Sequence, residues 1–190
     1  MKSDQLIEIA KIHIAKSGYE GASLSTIASD VGIKKQSIYS HFKSKEELFL
    51  QAFQDAVEKE LLFVKRFLED DEDISLKDLL NQFINEYLER CQKNTNTSFY
   101  IRSSFFPPVQ LRELIIKETY KYLDQLEDLI ESLFEQKYAV DSKAAAIAFL
   151  TLLDGLFVEF LYGTSERLKE RTEKSLLVYW QGIRAMKGEF

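Results

Sequence analysis

Residues 23–48, SLSTIASDVGIKKQSIYSHFKSKEEL, decide how this chain is organised. Ser23 has an N-cap's side chain, an oxygen able to accept an orphan amide of the following turn. Leu24, Ile27, Ala28 and Val31 recur at helical spacing and make one inward stripe. Gly32 stands where that helix must end, because glycine enters the left-handed region without a Cβ clash. A second short helix is predicted over Lys34–His41, with Ile33 plugging the gap between the two. Ile38 is its inward anchor and Phe42 packs just beyond. Ser44 then opens a third helix, with Glu47 three residues on as the return half of a capping box.

The residues left facing outward carry the chemistry. Lys35, Gln36, Ser37, Tyr39 and Ser40 are donors, acceptors and one aromatic, the types that reach phosphates and base edges in a major groove. Residues 34–45 add Lys34, His41, Lys43 and Lys45 and contain no acid. The layout is a helix-turn-helix, and Ser25 and Thr26 at the start of its first helix complete the set of expected DNA contacts. Residues 1–50 carry seven lysines against six acids, about +1, within a chain of net charge −6. That overall acidity argues against a general nucleic-acid coat. It leaves room for a local basic patch, because fields are screened within about 8–10 Å.

Gly18-Tyr19, Ser23-Leu24, Ile27-Ala28, Val31-Gly32-Ile33, Ile38-Tyr39, His41-Phe42 and Ser44-Lys45-Glu46-Glu47-Leu48 resemble, in that order, the N-terminal domain of the tetracycline-repressor (TetR) family over about residues 4–53. Lys34 stands where that family commonly has a serine or threonine cap, and Gln36 where it commonly has a small residue. The first adds charge and the second a base-reading group. The resemblance implies a DNA-binding domain over residues 1–46 and a helical effector-binding and dimerisation domain over 47–190.

Bulk properties agree with a helical globule. The chain has 190 residues, 45% of them hydrophobic and 29% charged, with two prolines and seven glycines. An all-β fold with many tight turns would need more glycine and proline. Neither a basic-then-apolar leader nor an uninterrupted apolar run of 18 residues is visible, so no membrane partner is expected and the expected location is the cytoplasm. The single cysteine, Cys91, excludes an internal disulfide and shares an apolar stripe with Ile84, Tyr87 and Leu88.

Nine helices and no strand are expected. The first runs from about Asp4 to Lys16 and stops at Gly18. The fourth runs from Lys45 to about Leu68 with Val57, Leu61, Val64 and Leu68 in its stripe, and the acids of 69–73 follow as a solvated connector. Further helices are expected at 76–93, behind Ser75 as cap, and at 98–104, after a break at Asn94-Thr95-Asn96-Thr97. The last three are expected at 109–136, behind Pro107-Pro108, at about 142–162 and at 166–187.

The helix over 142–162 is apolar nearly all round, with Asp154 and Glu159 as its charges from Ala144 onward. Such a helix must be covered on both sides. Its bulky face (Phe149, Leu153, Leu156, Phe157, Phe160) suits the chain's own core. Its small face (Ala144, Ala148, Thr151, Gly155) suits close approach of a second copy, with Leu176, Tyr179, Trp180 and Ile183 of the last helix beside it. A homodimer follows, since a short helix-turn-helix reading one half-site needs a twin.

No catalytic set is present. His13 and His41 are the two histidines, and there is no metal-ligand spacing, nucleophile elbow or phosphate-binding glycine loop, so neither an enzyme nor a cofactor is expected. Residues 99–108, FYIRSSFFPP, set aromatics on a short helix ahead of a proline break. Phe99, Tyr100, Arg102, Phe105 and Phe106, with Tyr87, Tyr122 and Phe157, are candidates for a small-molecule effector site. Aromatics packed as core, with Arg102 paired to Glu118 or another acid, is the alternative. The expected function is a homodimeric repressor that leaves a palindromic DNA operator when a mostly apolar effector binds. Two other readings stay open: an architectural DNA-binding factor of the same fold without an effector, and an all-helical binding protein that no longer grips DNA.

Overall fold

The computed structural model describes residues 2–69 and 74–187, which form eight α-helices and two 3-10 segments and no strand. In chain order these are α1 (Lys2–Gly21), α2 (Leu24–Asp30), a 3-10 segment (Lys35–Ser40), α3 (Lys45–Leu68), α4 (Leu76–Lys93), α5 (Thr95–Phe105), a 3-10 turn (Val109–Leu111), α6 (Arg112–Lys137), α7 (Ser142–Tyr162) and α8 (Ser165–Met186). The class is all-α, and counting the segment at Lys35–Ser40 gives the nine expected helices. Of the acidic connector, residues 70–73 lie outside the described residues.

Contacts divide the chain into two compact units: Met1–Phe63 with Arg90–Tyr122, and Val64–Glu89 with Leu123–Phe190. The first is built around aromatic rings. Phe49 meets Tyr19 at 5.1 Å and Phe99 at 5.7 Å, Phe53 meets Tyr100 at 5.9 Å, and Tyr100 meets Tyr122 at 5.1 Å. Each such ring contributes about 1.5–3 kcal/mol through burial. Leu6, Ala10 and Ile14 of α1 and Ile27 and Ala28 of α2 complete this core.

Three local departures from the sequence reading have simple causes. Helix α1 continues past Lys16 to Gly21, but Gly18 interrupts it with φ 72° and ψ 172°, a conformation that glycine adopts without strain. The expected break at Asn94–Thr97 narrows to Asn94 alone: its side chain accepts from the Thr97 amide at 3.1 Å, so Thr95, Asn96 and Thr97 become the first turn of α5. The buried stripe of α3 runs Phe53, Ala56, Glu60, Val64, leaving Val57 and Leu61 half-buried. A polar residue thus occupies a core position that apolar spacing alone does not reveal.

In the second unit Phe83 meets Tyr87 at 5.5 Å and Tyr87 meets Phe157 edge-on at 5.1 Å. Asp141 caps α7, accepting from the Ala144 amide at 3.0 Å, and Thr164 caps α8. By length and composition alone α7 could cross a membrane. Here it is two-faced. Ala145, Ala146, Phe149, Leu150, Leu153, Leu156 and Phe157 are buried, while Ala144, Ala148, Thr151 and Gly155 are exposed.

Candidate nucleic-acid interface

The interface begins with a well-formed cap. Ser23 Oγ accepts from the Thr26 amide at 3.1 Å, and Thr26 Oγ1 donates to the Ser23 carbonyl at 2.9 Å. Gly32 turns with φ 74°, and the Ile33 amide returns to the Ala28 carbonyl at 2.9 Å. The expected α-helix at 34–41 is instead a 3-10 helix over Lys35–Ser40, entered at Lys34 in extended conformation without a side-chain cap. The missing cap is the physical cost of lysine at that position. With three residues per turn, side chains at i and i+3 line up. Gln36 therefore sits above Tyr39 and Ser37 above Ser40, where Ser40 Oγ donates to the Ser37 carbonyl at 2.7 Å.

Ile38 is fully buried and Phe42 is 2% exposed, so these two side chains bolt the segment to the core. Ser25, Thr26, Lys34, Lys35, Gln36, Ser37, Tyr39, Ser40, His41 and Lys43 are all exposed. Lys45 is half-buried, with its ammonium 4.2 Å from the centre of the Tyr19 ring. The expected capping box at the next helix is shifted in its return half: the Glu47 amide donates to Ser44 Oγ at 3.2 Å, and Glu47 Oε2 accepts from the amide of Lys43, one residue before the cap, at 2.6 Å. His13 pairs with Asp30 at 2.8 Å, joining α1 to α2 behind this surface. The result is a polar, cationic outer face on a firmly anchored short segment.

The residues expected at an effector site are divided between the units. Phe99, Tyr100 and Tyr122 are buried in the aromatic core of the first, where Phe105 is half-buried and Phe106 exposed. Arg102 is exposed, and its guanidinium lies 3.5 Å from where a Cβ on Gly18 would stand. Glu118 pairs with Lys121 at 2.7 Å. Tyr87 and Phe157 are buried in the second unit.

The small face of α7 lines a shallow groove of about 700 Å³ against α8, bounded by Ala148, Thr151, Gly155, Val178 and Tyr179. Of the α8 residues expected there, Leu176 and Tyr179 are half-buried. Trp180 and Ile183 turn into the chain's own core, 5% and 3% exposed. Trp180 Nε1 donates to Asn81 Oδ1 at 2.9 Å, which holds the indole inward. Leu177 and Val178, 55% and 67% exposed, stand outward in their place. Among the described residues no group of three or more His, Cys, Asp or Glu could hold a metal.

One set of residues escaped the sequence reading. Lys11, Glu60, Asn96 and Thr97 form a polar cluster inside the first unit, with Lys11, Glu60 and Thr97 fully buried. The available signal was Lys11 at helical spacing with Ile14 and Ile7, and Glu60 at the step between Ala56 and Val64.

Residues 6–52 match the family model for bacterial regulatory proteins of the tetR family. A negative transcriptional regulator of the biofilm operon icaADBC, IcaR of Staphylococcus epidermidis, is 31% identical over 85 residues, 45% of this chain and 44% of that protein. IcaR of Staphylococcus aureus strain Newman is 41% identical over 49 residues, 26% of each chain. The chain therefore matches less than half the length of these curated relatives. Over nearly its whole length it shares the fold of a TetR transcriptional regulator from Chloroflexus aurantiacus, with a TM-score of 0.77, 20% identity and 95% and 94% of the two chains covered. FadR of Bacillus subtilis, solved with stearoyl-CoA, gives 0.69, 19%, 95% and 98%.

Proposed function

We propose that this chain is a TetR-family transcriptional regulator, a reading supported by the match over residues 6–52 and by its fold, and that it is a homodimeric repressor of a palindromic DNA operator. The observation that carries the reading is the outer face of residues 34–45. Lys34, Lys35, Lys43, Gln36, Ser37 and Tyr39 are exposed around a segment whose Ile38 and Phe42 are locked inside, with Lys45 half-buried beside them. Residues 1–46 bind one half-site, and residues 47–190 dimerise and hold the effector. Each recognition segment enters a major groove, and the two lie one helical turn apart, roughly 34–36 Å. Lys34, Lys35, Lys43 and Lys45 meet phosphates, while Gln36 and Ser37 meet base edges. The protein works in the cytoplasm and needs no cofactor.

Dimerisation is supported by the exposed small face of α7 and the groove beside it, continued by Leu177 and Val178. The effector is a mostly apolar molecule with one polar end. An effector that favours a different spacing of the recognition segments lowers operator affinity only by its differential affinity for the two states. Support comes from the aromatic content of α5 and from the similar fold of FadR, which was solved with stearoyl-CoA. The packing of Phe99 on Phe49 and Phe53, and of Tyr100 on Tyr122, favours a second reading, an architectural DNA-binding factor without an effector.

Selection of operators from a random duplex library, followed by titration with the Lys35→Ala chain, tests the proposal. A selected palindrome bound by two chains supports it, and failure to enrich any sequence refutes it. A thermal-shift screen against acyl-bearing and drug-like compounds then separates the two DNA-binding readings.

A further inference from the structure

Lys11 of α1 and Glu60 of α3 are fully buried in the first unit and belong to none of the surfaces above. Asn96 of α5 stands between them. Its Oδ1 accepts from Lys11 Nζ at 2.7 Å, while its Nδ2 donates to Glu60 Oε1 at 2.8 Å and to the Ala56 carbonyl at 3.1 Å. A carboxamide can accept from a cation at one end and donate to an anion at the other while staying neutral. The reverse orientation would set the NH2 group against the ammonium and the carbonyl against the carboxylate.

The surrounding charges tie four helices to this joint. Lys11 also bonds Asp55 of α3 and, at 3.2 Å, Glu8 of α1. Lys59 spans Glu8 at 2.7 Å and Asp55 at 2.9 Å. Glu60 Oε1 takes the Thr97 hydroxyl at 2.8 Å and faces Arg90 of α4 at 3.6 Å. Glu60 Oε2 and Arg90 Nε have no hydrogen-bond partner, so the cluster is incompletely satisfied. A partly satisfied buried network is sensitive to small displacements, because each lost bond strands a group in a low-dielectric interior.

We propose that Asn96 is a positioning residue for DNA binding: it fixes the register of α1 on α3 and α5, so that a shift of α5 is passed to α1 and to the helix-turn-helix that α1 supports. The proposal rests on the DNA-binding reading above. Further along α5 the Arg102 guanidinium lies against Gly18, where α1 is broken, so α5 meets α1 both at Lys11 and at the interruption. Asn96 thus joins Lys11 on one helix to Glu60 on another from a third.

The test uses the full chain and its selected operator. Asn96→Asp keeps the acceptor for Lys11 but sets a carboxylate against Glu60. Glu60→Gln added to it restores a donor to that carboxylate. Operator binding should weaken about tenfold or more in Asn96→Asp and return to within about threefold of wild type in the double variant. Protection of the α1 amides against hydrogen exchange should fall and recover in parallel, which loss of fold would not do. Wild-type affinity in a folded Asn96→Asp chain overturns the proposal, as does weakening that Glu60→Gln leaves in place. Should Asn96→Asp fail to fold, Asn96→Ser decides, since its hydroxyl is too short to span Lys11 and Glu60. Binding within about twofold of wild type then overturns the proposal, and weaker binding by a folded chain upholds it. A wild-type chain that selects no DNA refutes the DNA reading instead, and the exchange measurement still tests the register of α1.

Discussion

Gly155→Glu separates one chain's requirements from those of a pair. A Cβ at this position meets no atom of its own chain within 4 Å, and the residue is exposed. In a single chain the substitution removes a helix-interior glycine, which costs about 1 kcal/mol relative to a good helix former. An isolated chain should therefore melt at an unchanged temperature or about 2–4 °C higher. In a two-fold pair both glutamates enter the closed groove. Each buried, unpaired carboxylate costs about 3–5 kcal/mol, so the pair loses roughly 6–10 kcal/mol. Arg171 and Lys174 line the same groove and offset part of that, which favours the lower figure. A loss near 6 kcal/mol raises the dimer Kd by about four orders of magnitude. Sedimentation equilibrium over a concentration series reads the second effect, and melting of a dilute sample reads the first. A variant that dimerises as tightly as wild type would refute the assignment of this face. A dilute sample melting several degrees lower would show that Gly155 is internal to one chain.

Four other outcomes follow from particular contacts. Lys35→Ala should weaken binding to every sequence and flatten the log–log salt dependence by about 0.9 per lost contact, while Gln36→Ala should change base preference at one or two positions, by about 1–3 kcal/mol. An unchanged salt slope removes Lys35 from the interface. In the Glu8–Asp55–Lys59 cluster, burial raises both carboxyls, but hydrogen bonds from Lys59 and Lys11 outweigh it and hold them below the usual range. Carboxyls with depressed native values stabilise the fold above their unfolded values and lose that contribution as pH falls through the native ones. Melting temperature should thus drop below about pH 4, and less steeply in Asp55→Asn; equal slopes would contradict this. Burial, with Glu60 nearby, pushes the Cys91 thiol up to about 12, so alkylation of the native protein at pH 8 should be slow and become fast on unfolding. Trp180→Phe should cost about 1–3 kcal/mol in chemical denaturation, because Asn81 loses its indole donor; an unchanged midpoint would mean the bond is not held in solution.

Much of the fold was legible because apolar spacing reports helices directly. Helix α3 spans Lys45–Leu68, as the cap at Ser44 and the apolar run from Leu48 to Leu68 say it should. What could not be read are places where a polar group does core work. Glu60 replaces an apolar residue in the α3 stripe, and Lys11 is buried beside Ala10, since each hydrogen-bonds a partner distant in sequence. Asn94 to Thr97 has a loop's composition, yet Asn94 caps and the next three residues are helical. Spacing also cannot separate a short α-helix from a 3-10 helix when Ile38 is the inward anchor in both. The inward turn of Trp180 was hidden for a related reason: periodicity places it on the α8 stripe, but its partner Asn81 is 99 positions away.

The 3-10 segment bears on how such a surface can change over generations. Its attachment rests on Ile38 and Phe42, whereas Gln36, Ser37 and Tyr39 contribute little to the interior. Substitutions at the outward positions leave core packing intact and fall within about 0.5 kcal/mol of neutral for stability. On the DNA-binding reading proposed above, a lineage carrying this domain can drift to a new DNA sequence without passing through unfolded intermediates. A change at Ile38 would remove every reading frame of that surface together. Selection then acts on the two sets of positions almost independently: fold maintenance on the inward pair and target choice on the outward residues.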